Sequence, residues 1–183
     1  FASFPQLKEC TQWTTWDPAN LTALAKNCKQ LECFGVVQGL TGLSLSSECP
    51  VRERTAAIQA LAGLQHLTRL IFAVNDDAEV AALAAIKHLR VLYVVVPAGS
   101  SCTSTGLQLL LLLRGLRFFT LELRGLDLSQ PEALSVLCGM HQLELLRVYA
   151  CSEQLHVFRA ALQAARAAQL AIPAKVIIAA LPH

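Results

Sequence analysis

The chain has 183 residues, of which 54% are hydrophobic and 15% are charged. This composition supplies a substantial core and excludes an intrinsically disordered protein. An average domain carries about 25% Asp, Glu, Lys and Arg, so this chain has fewer charges than a freely soluble monomer, and part of its surface is expected to face a partner. The net charge is +2 and the basic residues are scattered, which argues against nucleic-acid binding.

The longest apolar run is too short to span a membrane. It extends from Leu107 to Leu113, is interrupted by Gln108 and stops at Arg114. A transmembrane helix needs about 20 apolar residues. The sequence therefore predicts no transmembrane segment, and no signal or transit segment is visible in it.

A short apolar pattern recurs along the chain: Leu or Phe, two residues, an apolar residue, one residue and a second apolar residue. Its copies are Leu31, Phe34 and Val36; Leu67, Leu70 and Phe72; Leu89, Leu92 and Val94; Phe118, Leu121 and Leu123; and Leu143, Leu146 and Val148. A weaker copy begins at Leu7. Recurrence of this kind predicts one structural unit that is repeated, with a strand at each copy.

One interval between copies is too long for a single unit. The residues from Leu31 to Leu67 include Leu40, Leu43 and Leu45, which also fit the pattern. Leu40 follows Leu31 too closely for a complete strand, helix and return. Residues 37–50 are therefore predicted to be an irregular insertion or a truncated repeat.

Helix signals lie between the predicted strands, because each apolar run there follows a residue that can cap a first turn. In chain order the starts are Asp17 before Pro18, Pro50 before a run to Leu61, Asp76 with Glu79, Ser104 or Thr105 before a run to Leu113, and Ser129 with Pro131 and Glu132. Gly139 is placed to end the helix after Ser129. A last helix is predicted from Glu153 to Gln169, and residues 172–178 are predicted to form a further strand. Strand and helix therefore alternate.

The passage from helix to strand in the first half contains Leu21, Leu24, Ala25, Cys28, Leu31, Phe34 and Val36. It resembles the cysteine-containing leucine-rich repeats of F-box and related adaptor proteins. Cys151 stands where those repeats have a second cysteine. The resemblance covers nearly the whole chain as a repeat type, but no segment resembles an F-box.

The resemblance implies an α/β fold, a leucine-rich-repeat solenoid with a curved parallel β-sheet on the concave face and helices on the convex face. Residues 1–183 are expected to form one domain of about five or six irregular repeats. The segment 172–178 lacks the polar cap that terminal repeats need. The chain is therefore expected to be a piece of a longer array or to have this end covered by a neighbouring subunit.

The seven cysteines show no metal-binding spacing. They are Cys10, Cys28, Cys33, Cys49, Cys102, Cys138 and Cys151, without a CxxC pair. Small buried residues in reduced form fit them best. Reduced thiols favour an intracellular location, in the cytoplasm or the interior of an organelle.

Residues for chemistry are not grouped in the sequence. His66, His88 and His141 precede copies of the repeat and are expected to lie on a ridge rather than to converge on a pocket. Asp76 and Asp77 are better placed to start a helix than to act as acid and base. No glycine-rich phosphate loop occurs. We therefore expect no enzyme activity, no catalytic residues, no cofactor and no metal.

Residues between the repeat leucines should lie on the concave face, because side chains alternate along a strand. An apolar patch with an aromatic centre and an arginine rim is typical of a protein interface. The predicted partner-binding residues are Arg69, Ile71, Val91, Tyr93, Val95, Glu122, Arg124, Arg147 and Tyr149. An alternative remains for the third copy, in which Val91 and Val95 are core and Leu92 and Val94 face outward.

These features predict a non-catalytic protein–protein interaction module, a scaffold or accessory subunit of a larger intracellular complex. It would bind one or more proteins through the concave face and belong to a hetero-oligomeric assembly. A second interpretation follows from the resemblance: the substrate-recognition repeat region of an F-box-like ubiquitin-ligase adaptor.

Overall fold

The described residues form one parallel β-sheet whose strands follow the order of the chain. The structure, a computed structural model, describes residues 5–10, 17–35 and 50–181. The strands are β1 (Glu9–Cys10), β2 (Cys33–Phe34), β3 (Arg69–Ala73), β4 (Val91–Val96), β5 (Phe118–Leu123), β6 (Leu145–Ala150) and β7 (Val176–Ala180). Every neighbouring pair is parallel. The predicted α/β class is confirmed.

Helices connect the strands. They are α1 (Pro18–Asn27), α2 (Val51–Leu61), α3 (Asp77–Ala84), α4 (Ser104–Gln108), α5 (Gln130–Gly139) and α6 (Ser152–Ala167), and a 3-10 turn (Leu109–Leu112) follows α4. Sequential helices contact one another along the whole described chain. Since the strand order is also sequential, the helices form one layer on one side of the sheet.

The predicted helix starts at Asp17, Pro50, Asp76 and Ser129 are confirmed. Asp17 shows why: its Oδ1 atom accepts a hydrogen bond from the Ala19 amide at 2.9 Å, which satisfies a free donor of the first turn.

The helix that was predicted to open at Ser104 or Thr105 begins at Ser104, but its capping residue lies one position earlier. Thr103 is the N-cap, and its hydroxyl oxygen accepts from the Gly106 amide at 3.1 Å. The apolar run to Leu113 does not stay α-helical either, because it tightens into the 3-10 turn after Gln108. Adjacent threonine and serine residues offer equivalent caps in sequence, and only the backbone geometry distinguishes them.

Repeat leucines form rows of buried side chains across the sheet, on the side that faces the helices. Pairing aligns Leu70, Leu92, Phe119 and Leu146 in one row and Phe72, Val94, Leu121 and Val148 in the next. All eight are at most 1% exposed. They join side chains from the helices in one continuous core.

Strand pairing corrects the repeat copy that was predicted to begin at Phe118. Phe118 pairs with Val91, two residues after the start of the third copy, so the equivalent first residue is Leu116. Leu116 is 2% exposed, whereas Phe118 is 38% exposed. The fourth copy is therefore Leu116, Phe119 and Leu121. Two adjacent phenylalanines made both alignments compatible with the sequence, and strand pairing selects one.

Both predicted outer copies correspond to strands. Leu7 precedes β1 and packs against the core. The last strand lies at Val176–Ala180, somewhat later than the predicted segment 172–178. The predictions on Val36, on Cys49 and on the insertion up to residue 49 lie outside the described residues.

Candidate interaction surface

We call the side of the sheet opposite the helices the sheet face. Alternation along each strand places three rows of side chains on it. The first row is Glu9, Cys33, Arg69, Val91, Phe118, Leu145 and Lys175; the second is Ile71, Tyr93, Thr120, Arg147 and Ile177; the third is Ala73, Val95, Glu122, Tyr149 and Ala179. No described helix packs on this side.

Apolar side chains of the first row remain partly open to solvent. Val91, Phe118 and Leu145 lie on three consecutive strands and are direct neighbours. Phe118 is 38% exposed, and the other two are half-buried. With strands about 4.8 Å apart, these three side chains form a stripe about 10 Å long. We call Val91, Phe118 and Leu145 the apolar stripe.

The third row is much more buried than the sequence predicted. Val95 is 4% exposed and Glu122 is fully buried, so the expectation that both are exposed is wrong. Glu122 tolerates burial because its carboxylate accepts hydrogen bonds from the Tyr93 hydroxyl and from Arg124 Nε. Val95 lies in the row between Glu122 and the equally buried Ala73.

The alternative register for the third copy is contradicted by burial. Leu92 and Val94 are 1% and 0% exposed and belong to the core. Val91 and Tyr93 are half-buried on the sheet face. Strand β4 therefore has the orientation of its neighbours.

Tyr93, Glu122 and Arg124 make one connected polar cluster on the sheet face. Burial raises the pKa of the Tyr93 phenol above its ordinary value, and the hydrogen bond to Glu122 and its negative charge raise it further. Arg124 is exposed and follows the end of β5 rather than lying within it. The cluster holds the Tyr93 ring in place beside the apolar stripe.

Charged side chains of the sheet face fall into two groups. Arg69 Nη2 lies 2.6 Å from Glu9 Oε1, and Arg124 pairs with Glu122. Arg147 and Lys175 are exposed, and neither forms an ion pair with any residue that the structure describes. The predicted site residues Arg69, Ile71, Tyr93, Arg147 and Tyr149 do share this surface.

Sequence reasoning missed Phe118, Lys175, Ile177 and Ala179 as members of the surface, and it left Leu145 out of the site. Phe118 was taken for a repeat leucine because the fourth copy was aligned two residues late. A usable signal existed: Leu116 lies 27 residues before Leu143, and Leu89 lies 27 residues before Leu116. Even spacing would have placed Phe118 on the sheet face.

A second apolar feature lies on the helix side. Ala81, Ala84, Ala85, Lys87, Leu109 and Leu112 line a shallow groove of about 270 Å³ between α3 and the 3-10 turn. Leu112 is 53% exposed. The groove offers methyl groups and a single amine, and Lys87 Nζ already donates to the Ala84 carbonyl. Leu112 in this groove is therefore an exposed apolar residue on the helix side that can be compared with Phe118 on the sheet face.

Within the described ranges, no group of His, Cys, Asp and Glu is arranged to hold a metal ion. The six described cysteines are free thiols. Burial raises the pKa of the Cys102 thiol to about 12, which keeps it protonated and a poor nucleophile. No helix in this part of the chain is long and apolar enough to cross a membrane.

No family model matches the chain, and no curated protein matches it. Its function must therefore be inferred from its own residues.

Proposed function

We propose that the chain is a leucine-rich-repeat solenoid that works as a non-catalytic protein-interaction module. Its sheet face binds another protein, and the chain is a constitutive subunit of a larger assembly. The observation that carries the proposal is the apolar stripe on a face of the parallel sheet that no described helix covers.

Most parallel sheets are covered on both faces, whereas a solenoid of repeats leaves its concave face open as a binding surface. Here the described helices cover one face, and the other carries Phe118 at 38% exposure between half-buried Val91 and Leu145. Water contact with such side chains is unfavourable by roughly 25 cal/mol for each Å² of apolar area. A partner that covers the stripe removes this cost.

The surroundings of the stripe match the anatomy of an interface. Tyr93 lies next to it in the second row, fixed by its hydrogen bond to Glu122. Arg69 and Lys175 flank the apolar stripe in the first row. Protein interfaces often have aromatic side chains at the centre, which supply a large contact area. Arginine is also frequent in them and forms polar contacts around that centre.

The solenoid form is supported by the order of the elements. Among the residues that the structure describes, each strand pairs with the preceding and the following strand in sequence and with no other, and helices contact one another in the same order. Such nearest-neighbour stacking is typical of repeat proteins. Each copy buries its leucines against the next, which leaves the intervening side chains for binding.

Light scattering during size-exclusion chromatography tests the proposal on the isolated chain. We expect the molar mass of the wild-type chain to rise with concentration above the 19.8 kDa of a monomer, because the stripe associates with any apolar surface. Phe118→Glu should restore a constant monomer mass. Leu112→Glu is the matched control, since it removes an exposed leucine from the helix side, and it should leave association unchanged.

Two results would contradict the proposal. A wild-type chain that stays monomeric at every concentration would show that the sheet face tolerates water and that no constitutive partner is required. Relief of association by Leu112→Glu instead of Phe118→Glu would assign binding to the helix side.

A further inference from the structure

Acidic groups of the sheet face are already paired, whereas two basic groups are not. Glu9 is paired with Arg69, and Glu122 with Arg124. Arg147 and Lys175 have no ion-pair partner in the described ranges and are both exposed. The surface around the apolar stripe therefore presents an excess of positive charge.

We propose that the occupant of the sheet face is an acidic and apolar protein segment, in which a large apolar side chain covers the stripe and a nearby carboxylate pairs with Arg147 and Lys175. The inference rests on the function proposed above and specifies the chemistry of the partner. The apolar stripe, Arg147 and Lys175 would then contact the same segment of the partner.

The positions of the two cations set the spacing that a partner must match. Leu145 precedes Arg147 by two positions on β6, and Lys175 extends the first row directly beside Leu145. From strand spacing and rise per residue, the Cα atoms of Arg147 and Lys175 are about 8 Å apart, and those of Phe118 and Arg147 are also about 8 Å apart. A carboxylate two or three residues from the apolar anchor can therefore reach both cations.

Charge complementarity favours this occupant over a second copy of the chain. Self-association of the isolated chain through the stripe leaves the cations of both copies without a counter-charge, so an acidic partner should bind the sheet face more tightly than a second copy does. Nucleic acid also carries negative charge, but its recognition requires several cations along a phosphate backbone. Two cations beside aliphatic and aromatic side chains suit a protein segment better.

A phage-displayed library of random 12-residue peptides, selected on the full chain, tests the proposal. We expect the selected peptides to combine Phe, Leu or Trp with Asp or Glu two or three residues away. Fluorescence anisotropy should show that Arg147→Glu with Lys175→Glu weakens a selected peptide at least about tenfold, and that added salt weakens the wild-type complex. Arg52→Glu with Arg159→Glu makes the same charge change on exposed helix positions and should leave affinity unchanged.

The outcomes separate this inference from the function on which it rests. Peptides that bind the wild-type chain but not Phe118→Glu, and that lack acidic residues or ignore the Arg147 and Lys175 changes, would overturn the inference and leave the proposed function intact. Peptides whose binding ignores Phe118→Glu would overturn both. Tighter binding of a 20-nucleotide single strand than of any selected peptide would also overturn the inference.

Discussion

Glu122 is fully buried on the sheet face, and two side chains hydrogen-bond its carboxylate. Tyr93 lies on the neighbouring strand β4, and Arg124 lies just beyond the end of β5, the strand that contains Glu122. A buried carboxylate is costly without such partners. This arrangement turns a position that the sequence marks as exposed into a fixed polar support for Tyr93.

Tyr93 should make stability depend on alkaline pH. Its pKa is raised in the folded chain, whereas an unfolded tyrosine titrates near its ordinary value of about 10. The neutral phenol therefore favours the folded state below about pH 10, and this stabilisation is lost as the pH rises toward the folded pKa. We expect the free energy of unfolding, measured by urea denaturation, to decline more steeply above pH 10 in the wild type than in Tyr93→Phe.

An absorbance titration at 295 nm checks the same prediction directly. The chain has two tyrosines, so the difference between wild-type and Tyr93→Phe curves reports the Tyr93 phenol alone. Ionisation of Tyr93 near pH 10 in the folded chain would contradict the buried hydrogen bond to Glu122.

Residue burial was the least predictable property of the site. Glu122 and Val95 occupy alternate positions of their strands, which read as exposed in the sequence. Their burial depends on contacts between strands, such as the one from Tyr93 to Glu122, 29 residues apart. Residue spacing within one strand contains no information about such contacts.

Helices α2 and α3 are joined by a buried ionic cluster. Arg54 Nε lies 2.6 Å from Glu79 Oε1, and Arg54 Nη2 lies 2.6 Å from Asp76 Oδ2. The second oxygen of Glu79 accepts from the Asn75 amide at 2.7 Å. Asp76 also caps α3 through the Glu79 amide. One arginine therefore links the body of α2 to the first turn of α3.

Arg54→Met should destabilise the fold by about 3–5 kcal/mol near neutral pH, because it leaves the carboxylate of Glu79 buried without its cation. Burial already raises the pKa of Glu79, and loss of Arg54 raises it further. A raised folded pKa stabilises the fold below the unfolded value and loses this effect as the pH rises. The destabilisation should therefore be smaller at pH 4 than at pH 7.

Chemical denaturation of the wild-type chain and of Arg54→Met at pH 4 and pH 7 measures the loss of stability at each pH. Arg52→Met is the matched control, since Arg52 is exposed on the same helix, and it should change stability by less than about 0.5 kcal/mol. An equal loss of stability for Arg54→Met at the two pH values would be inconsistent with an ionised Glu79 at neutral pH.

Helix starts could be predicted from the sequence where neighbouring side chains cap the first turn. Asp17 and Asp76 cap helices because their carboxylates accept hydrogen bonds from free amides, and at Ser129 the Glu132 carboxylate accepts from the Ser129 amide. The alignment of the fourth repeat failed because Phe118 and Phe119 are both large and apolar. Pairing with Val91 and Leu92 shows that Phe119 enters the core, and the even spacing of Leu89, Leu116 and Leu143 agrees with it.

At the scale of the whole molecule, recurrence made the α/β class and strand order predictable. The same short pattern recurs in every copy, so every copy folds into a similar strand and consecutive strands pair in parallel. The proposed binding surface has no comparable repetition, because it is assembled from β3 to β7 and each strand supplies only a few different side chains.

Site-specific photocrosslinking from the sheet face tests the central claim most directly. Two variants would be expressed in cells of the organism from which the chain comes. One carries Phe118→p-benzoylphenylalanine, and the control carries Leu112→p-benzoylphenylalanine. We predict a discrete crosslinked protein band from position 118 and none from position 112, because the proposal assigns partner binding to the sheet face. Equal bands from both positions, or a band from position 112 alone, would contradict the claim that the sheet face is the binding surface.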